Sequence, residues 1–158
     1  MAHEIERKFL VSGDGWKPLV TARHRLAQGY LATGDRSAVR VRIQDDAKAF
    51  LTIKSAVSGT TRQEFEYEIP VADARDLLKL AVGAVVAKTR HEVPLGGHLW
   101  EIDVFEGDNA GLTVAEVELD SEDENVALPD WISTEITGDK RYYNASLTHR
   151  PYKDWKGA

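Results

Sequence analysis

Two glutamates and a lysine stand at alternate positions near the start of the chain: Glu4, Glu6 and Lys8 in HEIERKF, residues 3–9. In an extended strand alternate residues share a side. Both carboxylates and the ammonium therefore project one way, and Ile5, Arg7 and Phe9 the other. Paired carboxylates hold hard cations such as Mg²⁺ or Mn²⁺, and a lysine takes phosphate oxygens. On this strand alone a wetted sheet face is the plainer reading, and a metal or anion site depends on what the other strands carry.

The pattern recurs along the chain. Arg40 and Arg42 share a face in AVRVRI, and Thr52 and Lys54 in FLTIKS. Arg62, Glu64, Glu66 and Glu68 do so in RQEFEYEI, and Lys88, Arg90 and Glu92 in VVAKTRHEV. Glu101 and Asp103 line one side of WEIDVF, and Glu116 and Glu118 one side of VAEVEL. A wetted sheet face accounts for any one of these strands. It accounts less well for the set, because the faces are almost wholly ionic and sorted by sign. Bases concentrate on the third, fourth and sixth strands, acids on the first, seventh and eighth.

The elements that must position these residues follow from the period of the apolar pattern. Strands are predicted near 3–11, 25–32, 38–45, 49–56, 61–69, 85–94, 98–106 and 112–119, with turns at 33–37, 44–48, 57–60, 94–98 and 106–111. A helix is predicted over 71–83, with Ala74, Leu77, Leu78, Ala81 and Val82 on one stripe, Asp73 as N-cap and Gly83 as its end. Residues 12–20 read as a loop or one short helical turn. Residues 121–132 begin like a capped helix broken at Pro129, and 137–149 as a C-terminal helix.

About eight antiparallel strands can close into a barrel. The expected fold is α+β: one domain over residues 1–158, a closed eight-stranded antiparallel barrel with a charged interior and a few covering helices. Such an interior is not dry, since unpaired buried charges cost several kcal/mol each. A basic wall facing an acidic wall suits a polyphosphate with divalent cations. The chain has no GxxxxGK[ST] phosphate loop, so side chains must hold any phosphate.

Composition narrows the classes. The 158 residues are 42% hydrophobic and 29% charged, with no cysteine and a net charge of −6. Disulfide frameworks, thiolate zinc sites and cysteine nucleophiles are excluded, and a cytoplasmic setting is expected. The acidic balance argues against a nucleic-acid partner. No run approaches the roughly 18 apolar residues of a membrane span, and the N-terminus enters charged alternation at once, so no membrane partner is expected. The five histidines show no metal-binding spacing, and the tryptophans read as packing residues.

EIERKFLV, with Glu4, Glu6 and Lys8, resembles the ExExK signature of the CYTH superfamily, also called triphosphate tunnel metalloenzymes. The resemblance continues in order through QGYL (28–31), RVR (40–42), TIKS (52–55), RQEFEYEI (62–69), KTR (88–90), EIDVF (101–105), EVEL (116–119) and EITGDKRYYN (135–144). It implies an eight-stranded tunnel that hydrolyses or rearranges triphosphates with a divalent metal. It implies that Lys8, Arg40, Arg42, Lys54, Arg62, Lys88 and Arg90 clamp phosphates. Glu4, Glu6, Glu116 and Glu118 would hold metal, with Asp103 and Glu101 close candidates. Glu64 and Glu66 would orient neighbouring bases or serve the metal side. Glu68 and Glu92 would be solvated at a mouth. Glu4, Glu6 and Lys8 would form the catalytic edge, Lys8 tuning a general base or protonating the leaving group, with Tyr30 its candidate partner. Asp139 with Lys140 or Arg141 would lie over the tunnel.

The layout is most similar to small bacterial inorganic triphosphatases. The activity implied is hydrolysis of inorganic triphosphate to pyrophosphate and phosphate by metal-activated water, with Mg²⁺ or Mn²⁺. A class IV adenylate cyclase and a thiamine or nucleoside triphosphatase are the enzymatic alternatives. A non-catalytic polyphosphate-binding module is the third reading. The outer apolar faces need more cover than one helix gives, which leaves room for a homodimer.

Overall fold

The computed structural model describes residues 2–56 and 61–155. The turn expected at 57–60 lies outside them. The strands are β1 (Ala2–Val11), β2 (Ala22–Thr33), β3 (Ser37–Gln44), β4 (Lys48–Ser55), β5 (Thr61–Ile69), β6 (Val86–Leu95), β7 (His98–Phe105), β8 (Thr113–Glu118) and β9 (Ile132–Glu135). They pair in the order β5-β4-β3-β2-β6-β7-β8-β1-β9, and a β5–β1 pairing joins the ends of the first eight. A closed eight-stranded antiparallel barrel results, as the alternation predicts. First and last barrel strands lie side by side, with Glu6 opposite Glu118 and Lys8 opposite Glu116.

The barrel is packed inside out. Its ionic sides face the bore, so its apolar sides face outward and are covered by connecting segments. Phe9, Trp100, Ile102 and Val117 are roofed by Trp16 and Trp131 from two loops. Val86, Phe105, Leu112 and Val114 are covered by Ile136 and Leu147 from the C-terminal segment. Val41, Ile43 and Ala49 lie under Ala74 of α1 (Val71–Leu78). Burying a large apolar side chain stabilises by roughly 1.5–3 kcal/mol, so these covers hold the barrel from outside.

Three expectations fail at the level of elements. The helix predicted over 71–83 stops at Leu78. Its N-cap is Pro70, and Asp73 lies in its first turn. Beyond Leu78 the bonds tighten, Leu80 N–H reaching Leu77 O and Ala81 N–H reaching Leu78 O. Val82 N–H is then captured by Tyr30 O at 2.8 Å. That carbonyl borders the irregularity between Tyr30 and Ala32 of β2, so the sheet ends the helix before Gly83 can.

Residues 121–132 hold no helix. Glu124 accepts from the Asp120 N–H and bonds His98, giving a turn, and the segment ends as β9. This strand exists because β1 is long. Residues 2–5 pair with β5, and Phe9 and Val11 on the same edge remain free for Glu135 and Ile132. The helix predicted at 137–149 is two pieces, a 3-10 turn at Lys140–Tyr142 and α2 (Asn144–Leu147). They are split by Tyr143, whose extended backbone carries its ring toward the bore, 5.5 Å from Lys8 Nζ. The short helical turn within 12–20 is present at Lys17–Leu19.

Gly83 joins two covers. Its φ is +77°, and a Cβ there would lie 2.6 Å from the Thr148 carbonyl oxygen. Its neighbour Ala84 donates to that same oxygen at 2.9 Å. Gly83→Ala is expected to destabilise the protein by about 2–3 kcal/mol, from the left-handed backbone and the clash together. Urea denaturation measures this.

Candidate active site

The bore holds a cavity of about 600 Å³. Each strand contributes through its inward positions, and the register decides which charges meet. Arg90 on β6 stands opposite Asp103 on β7, and Lys88 lies one inward step away. Asp103 is fully buried and binds both: Arg90 Nε and its second terminal nitrogen donate at 2.8 and 2.9 Å, and Lys88 Nζ lies at 2.7 Å. Burial pushes the Asp103 carboxyl up, but Arg90 and Lys88 outweigh it and hold its pKa far below the usual range. Asp103 does not line the cavity. The geometry gives this carboxylate to the bases, not to the acidic wall with which it was grouped as a metal candidate.

The basic wall continues through β3 and β4. Arg40 is buried, donates to Thr52 at 3.4 Å and lies 3.8 Å from Glu66. Its Nε is buried without a hydrogen-bond partner. Arg42 Nε donates to Gln28 Oε1 at 2.8 Å. Burial, together with Arg40 and Arg90, lowers the Arg42 pKa to about 9. Burial lowers Lys88 to about 7 against the pull of Asp103. Lys54 sits between Glu4 at 3.1 Å and Glu64 at 3.5 Å, and Arg62 lies 3.4 Å from Glu4. Glu64 and Glu66 thus stand on bases, as does Glu101, 3.4 Å from Arg90.

The acidic wall is where β1 meets β8. Lys8 Nζ lies 3.5 Å from Glu6 and 3.8 Å from Glu116. Burial opposes ionisation of Glu116, yet Lys8 and Arg90 hold its pKa down to about 2. Glu6 is raised by burial and by Glu116 and Glu4. Glu4 is raised by burial and by a hydrogen bond shared with Glu64, despite Lys54 and Arg62 beside it. Glu118, raised by burial and by Glu4 and Glu6, makes no ion pair among the described residues. This wall carries more negative charge than its bases offset.

Among the described residues no three carboxylates or histidines are gathered as a preformed metal cage. Donor type and surplus charge still suit a hard cation at Glu4, Glu6, Glu116 and Glu118.

Other expected residues distribute around this frame. Tyr30 lines the cavity, but no Tyr30–Lys8 hydrogen bond is present among the described residues; the ring over Lys8 is that of Tyr143. Lys140 lines the cavity. Asp139 is turned to Arg141, which stacks outside on Tyr142 and Trp155. Glu68 is exposed. Glu92 is not simply solvated: it binds His24 Nε2 at 2.8 Å, while Asp45 takes His24 Nδ1 at 2.9 Å. Sequence reasoning placed Thr52 on the Lys54 face but missed Gln28 and Asn144 as parts of the ionic network. Gln28 shares the inward parity of Tyr30, and that alternation was the available signal.

Residues 2–152 match the family model of the CYTH domain. The chain belongs to the CYTH family. Relatives to which this CYTH chain is similar include an inorganic triphosphatase of Acetivibrio thermocellus, 44% identical over 99% of both chains. An inorganic triphosphatase of Nitrosomonas europaea is 43% identical over 91% of this chain and 95% of its own. A solved inorganic triphosphatase structure superposes with a TM-score of 0.66 at 39% identity, covering 92% of this chain and 97% of that one. No helix of the described CYTH chain is long and apolar enough to cross a membrane.

The walls separate two kinds of acid. Asp103→Ala leaves Lys88 and Arg90 buried without their shared partner and is expected to destabilise by about 3–5 kcal/mol. Glu118→Ala relieves crowding among like charges and is expected to leave stability unchanged or raise it. Denaturant titration of both variants checks the contrast.

Proposed function

We propose that the whole chain, residues 1–158, works as one domain that hydrolyses inorganic triphosphate to pyrophosphate and phosphate inside the bore. The observation that carries this reading is the basic wall of Arg40, Arg42, Lys88 and Arg90, with Arg40 and Lys88 buried and Arg40 Nε unpartnered, facing an acidic wall with surplus charge across one cavity. An arginine with an unmet donor suits an oxyanion nearby, and Glu118, without an ion pair beside Glu4 and Glu6 among the described residues, suits a cation. The similarity to inorganic triphosphatases supports the same conclusion. The proposal includes Mg²⁺ or Mn²⁺ as the cation, and a cytoplasmic setting, which the cysteine-free composition suits.

Glu4, Glu6, Glu116 and Glu118 would hold the cation, which when bound supplies Lewis-acid polarisation and lowers the pKa of water. The chain's own residues do the rest. Arg40, Arg42, Lys54, Arg62, Lys88 and Arg90 bind the phosphate oxygens and offset the charge that builds in phosphoryl transfer. Asp103 fixes Lys88 and Arg90 in place. Lys8, between Glu6 and Glu116, stands where the acidic wall meets the phosphates and can give a proton to the leaving oxygen. Covering segments around the barrel keep bulk water from entering except at the mouths.

A substrate panel with Mg²⁺ or Mn²⁺ tests the reading. Phosphate release is expected from triphosphate well above ATP and thiamine triphosphate, with no cyclic AMP from ATP. Cyclic AMP as the main product would overturn it. Glu6→Gln and Arg40→Ala are each expected to lower kcat/KM by about 100-fold or more, on the scale of losing one charged contact to the transition state. Binding of triphosphate without metal and no turnover with any metal would indicate a binding module instead.

The pH dependence has two signs. A bound polyanion favours protonated Lys88, whose pKa in the free protein is about 7. Above pH 7 Lys88 is therefore expected to take up a proton when triphosphate binds, and its contribution to affinity to fall as pH rises. On the acid side, Glu4, Glu6 and Glu118 have raised pKa values. Cation binding must weaken before pH falls to the ordinary carboxylate range. Calorimetry at pH 8 in buffers of different ionisation enthalpy reads the proton uptake, and metal titrations against pH read the second limb.

A further inference from the structure

Asn144 opens α2 at the edge of the bore and lines the cavity. Its Oδ1 accepts two hydrogen bonds, from Gln28 Nε2 at 3.1 Å and from Lys88 Nζ at 3.0 Å. The orientation of the carboxamide follows from donor chemistry. Arginine has no acceptor, and Arg42 Nε donates to Gln28 Oε1 at 2.8 Å. Gln28 is fully buried, so its oxygen must face Arg42 and its NH₂ must face Asn144. Charged Lys88, a donor only, asks for the same Asn144 oxygen. Two independent partners thus fix Oδ1 and leave Nδ2 as the free end. Nδ2 has no protein acceptor among the described residues, and it is not among their buried unpartnered atoms. Asn144 lines the cavity, and this accessible end is the part of it free to meet a ligand.

We propose that Asn144 is a substrate-contacting residue whose Nδ2 amide donates to a phosphate oxygen, in an orientation set by Gln28 and Lys88. This rests on the triphosphate reading above and adds a contact from outside the barrel strands. A neutral donor suits this corner. Arg42, Lys88 and Arg90 already repel one another there, and another cation would add to that repulsion. An amide contributes a directed bond without charge.

The alternative is that Asn144 only fastens α2 to the barrel. Asn144→Asp separates the two, because it keeps the oxygen that Gln28 and Lys88 use and replaces the donor by a second acceptor. Asn144→Ala removes both. Binding of inorganic triphosphate with EDTA present is read by calorimetry, KM and kcat with Mg²⁺ by phosphate release, and folding by the thermal midpoint.

Asn144→Ala is expected to raise Kd and KM about tenfold, the scale of one hydrogen bond to a charged group. Asn144→Asp is expected to be worse, on the order of 100-fold, because a carboxylate would face the anion. It should still unfold at or above the midpoint of the alanine variant. Asn144→Asp binding like the parent protein, or better than Asn144→Ala, would overturn the proposal and leave a fastening role. If the alanine variant is unfolded at the assay temperature, the aspartate variant against the parent decides alone. A parent protein that neither binds nor hydrolyses triphosphate would remove the function reading and this inference together. A normal parent with an unaffected aspartate variant would remove this inference only.

Discussion

One carboxylate organises the bore. Asp103 is fully buried and answers both Lys88 and Arg90. Two cations inside a barrel would otherwise repel each other in a medium that screens poorly. With Asp103 in place, Arg90 also reaches Glu101 and Glu116, and Lys88 also reaches Asn144. From Arg90 the ionic contacts run through Glu116 to Lys8 and Glu6. From Lys88 hydrogen bonds run through Asn144 and Gln28 to Arg42. The basic and acidic walls are thus two arms of one network, and its register-fixed centre is the β6–β7 pairing.

An ionic interior moves the usual core outside. A barrel whose bore cannot be filled with leucine and valine has no central apolar contact to hold it closed. Stability comes from the loops, α1 and the C-terminal segment laid over its outer surface. That is why connecting segments here are folded tightly, with Trp16, Trp131, Ile136 and Leu147 buried. It also joins stability to the site. The segment that covers Val86 and Phe105 through Leu147 also places Tyr143 by Lys8 and Asn144 by Lys88.

The barrel was legible because strand alternation is local and its signs were sorted. Glu4, Glu6 and Lys8 could be placed on one face from residues 3–9 alone, and Arg40 with Arg42 from 38–43. What period two cannot supply is the partner across the ladder. Asp103 carries the same inward signature as Glu101, and only the register against Arg90 gives it to the bases. β9 was hidden because it forms on leftover edge of β1 and has no amphipathic pattern of its own. The end of α1 was misplaced because Tyr30 O, far away in sequence, takes the Val82 N–H. Asn144 joins the network only because Tyr143 interrupts the helix that periodicity extends through it. At β9 and at the end of α1 a long-range backbone bond outweighed a local preference, and at Asp103 and Asn144 the deciding partners are side chains distant in sequence.

On the proposed function the bore is an anion-and-cation site, with phosphates on the Arg40, Arg42, Lys88 and Arg90 wall and metal on the Glu4, Glu6, Glu116 and Glu118 wall. A crystal structure with inorganic triphosphate and Mn²⁺, with anomalous scattering locating the metal, tests it most directly. A phosphate chain is expected within hydrogen-bond distance of the Arg40, Arg42, Lys88 and Arg90 side chains that line the cavity, and manganese against the β1–β8 carboxylates. Phosphate confined to the outer surface, or manganese bound away from those four glutamates, would contradict it.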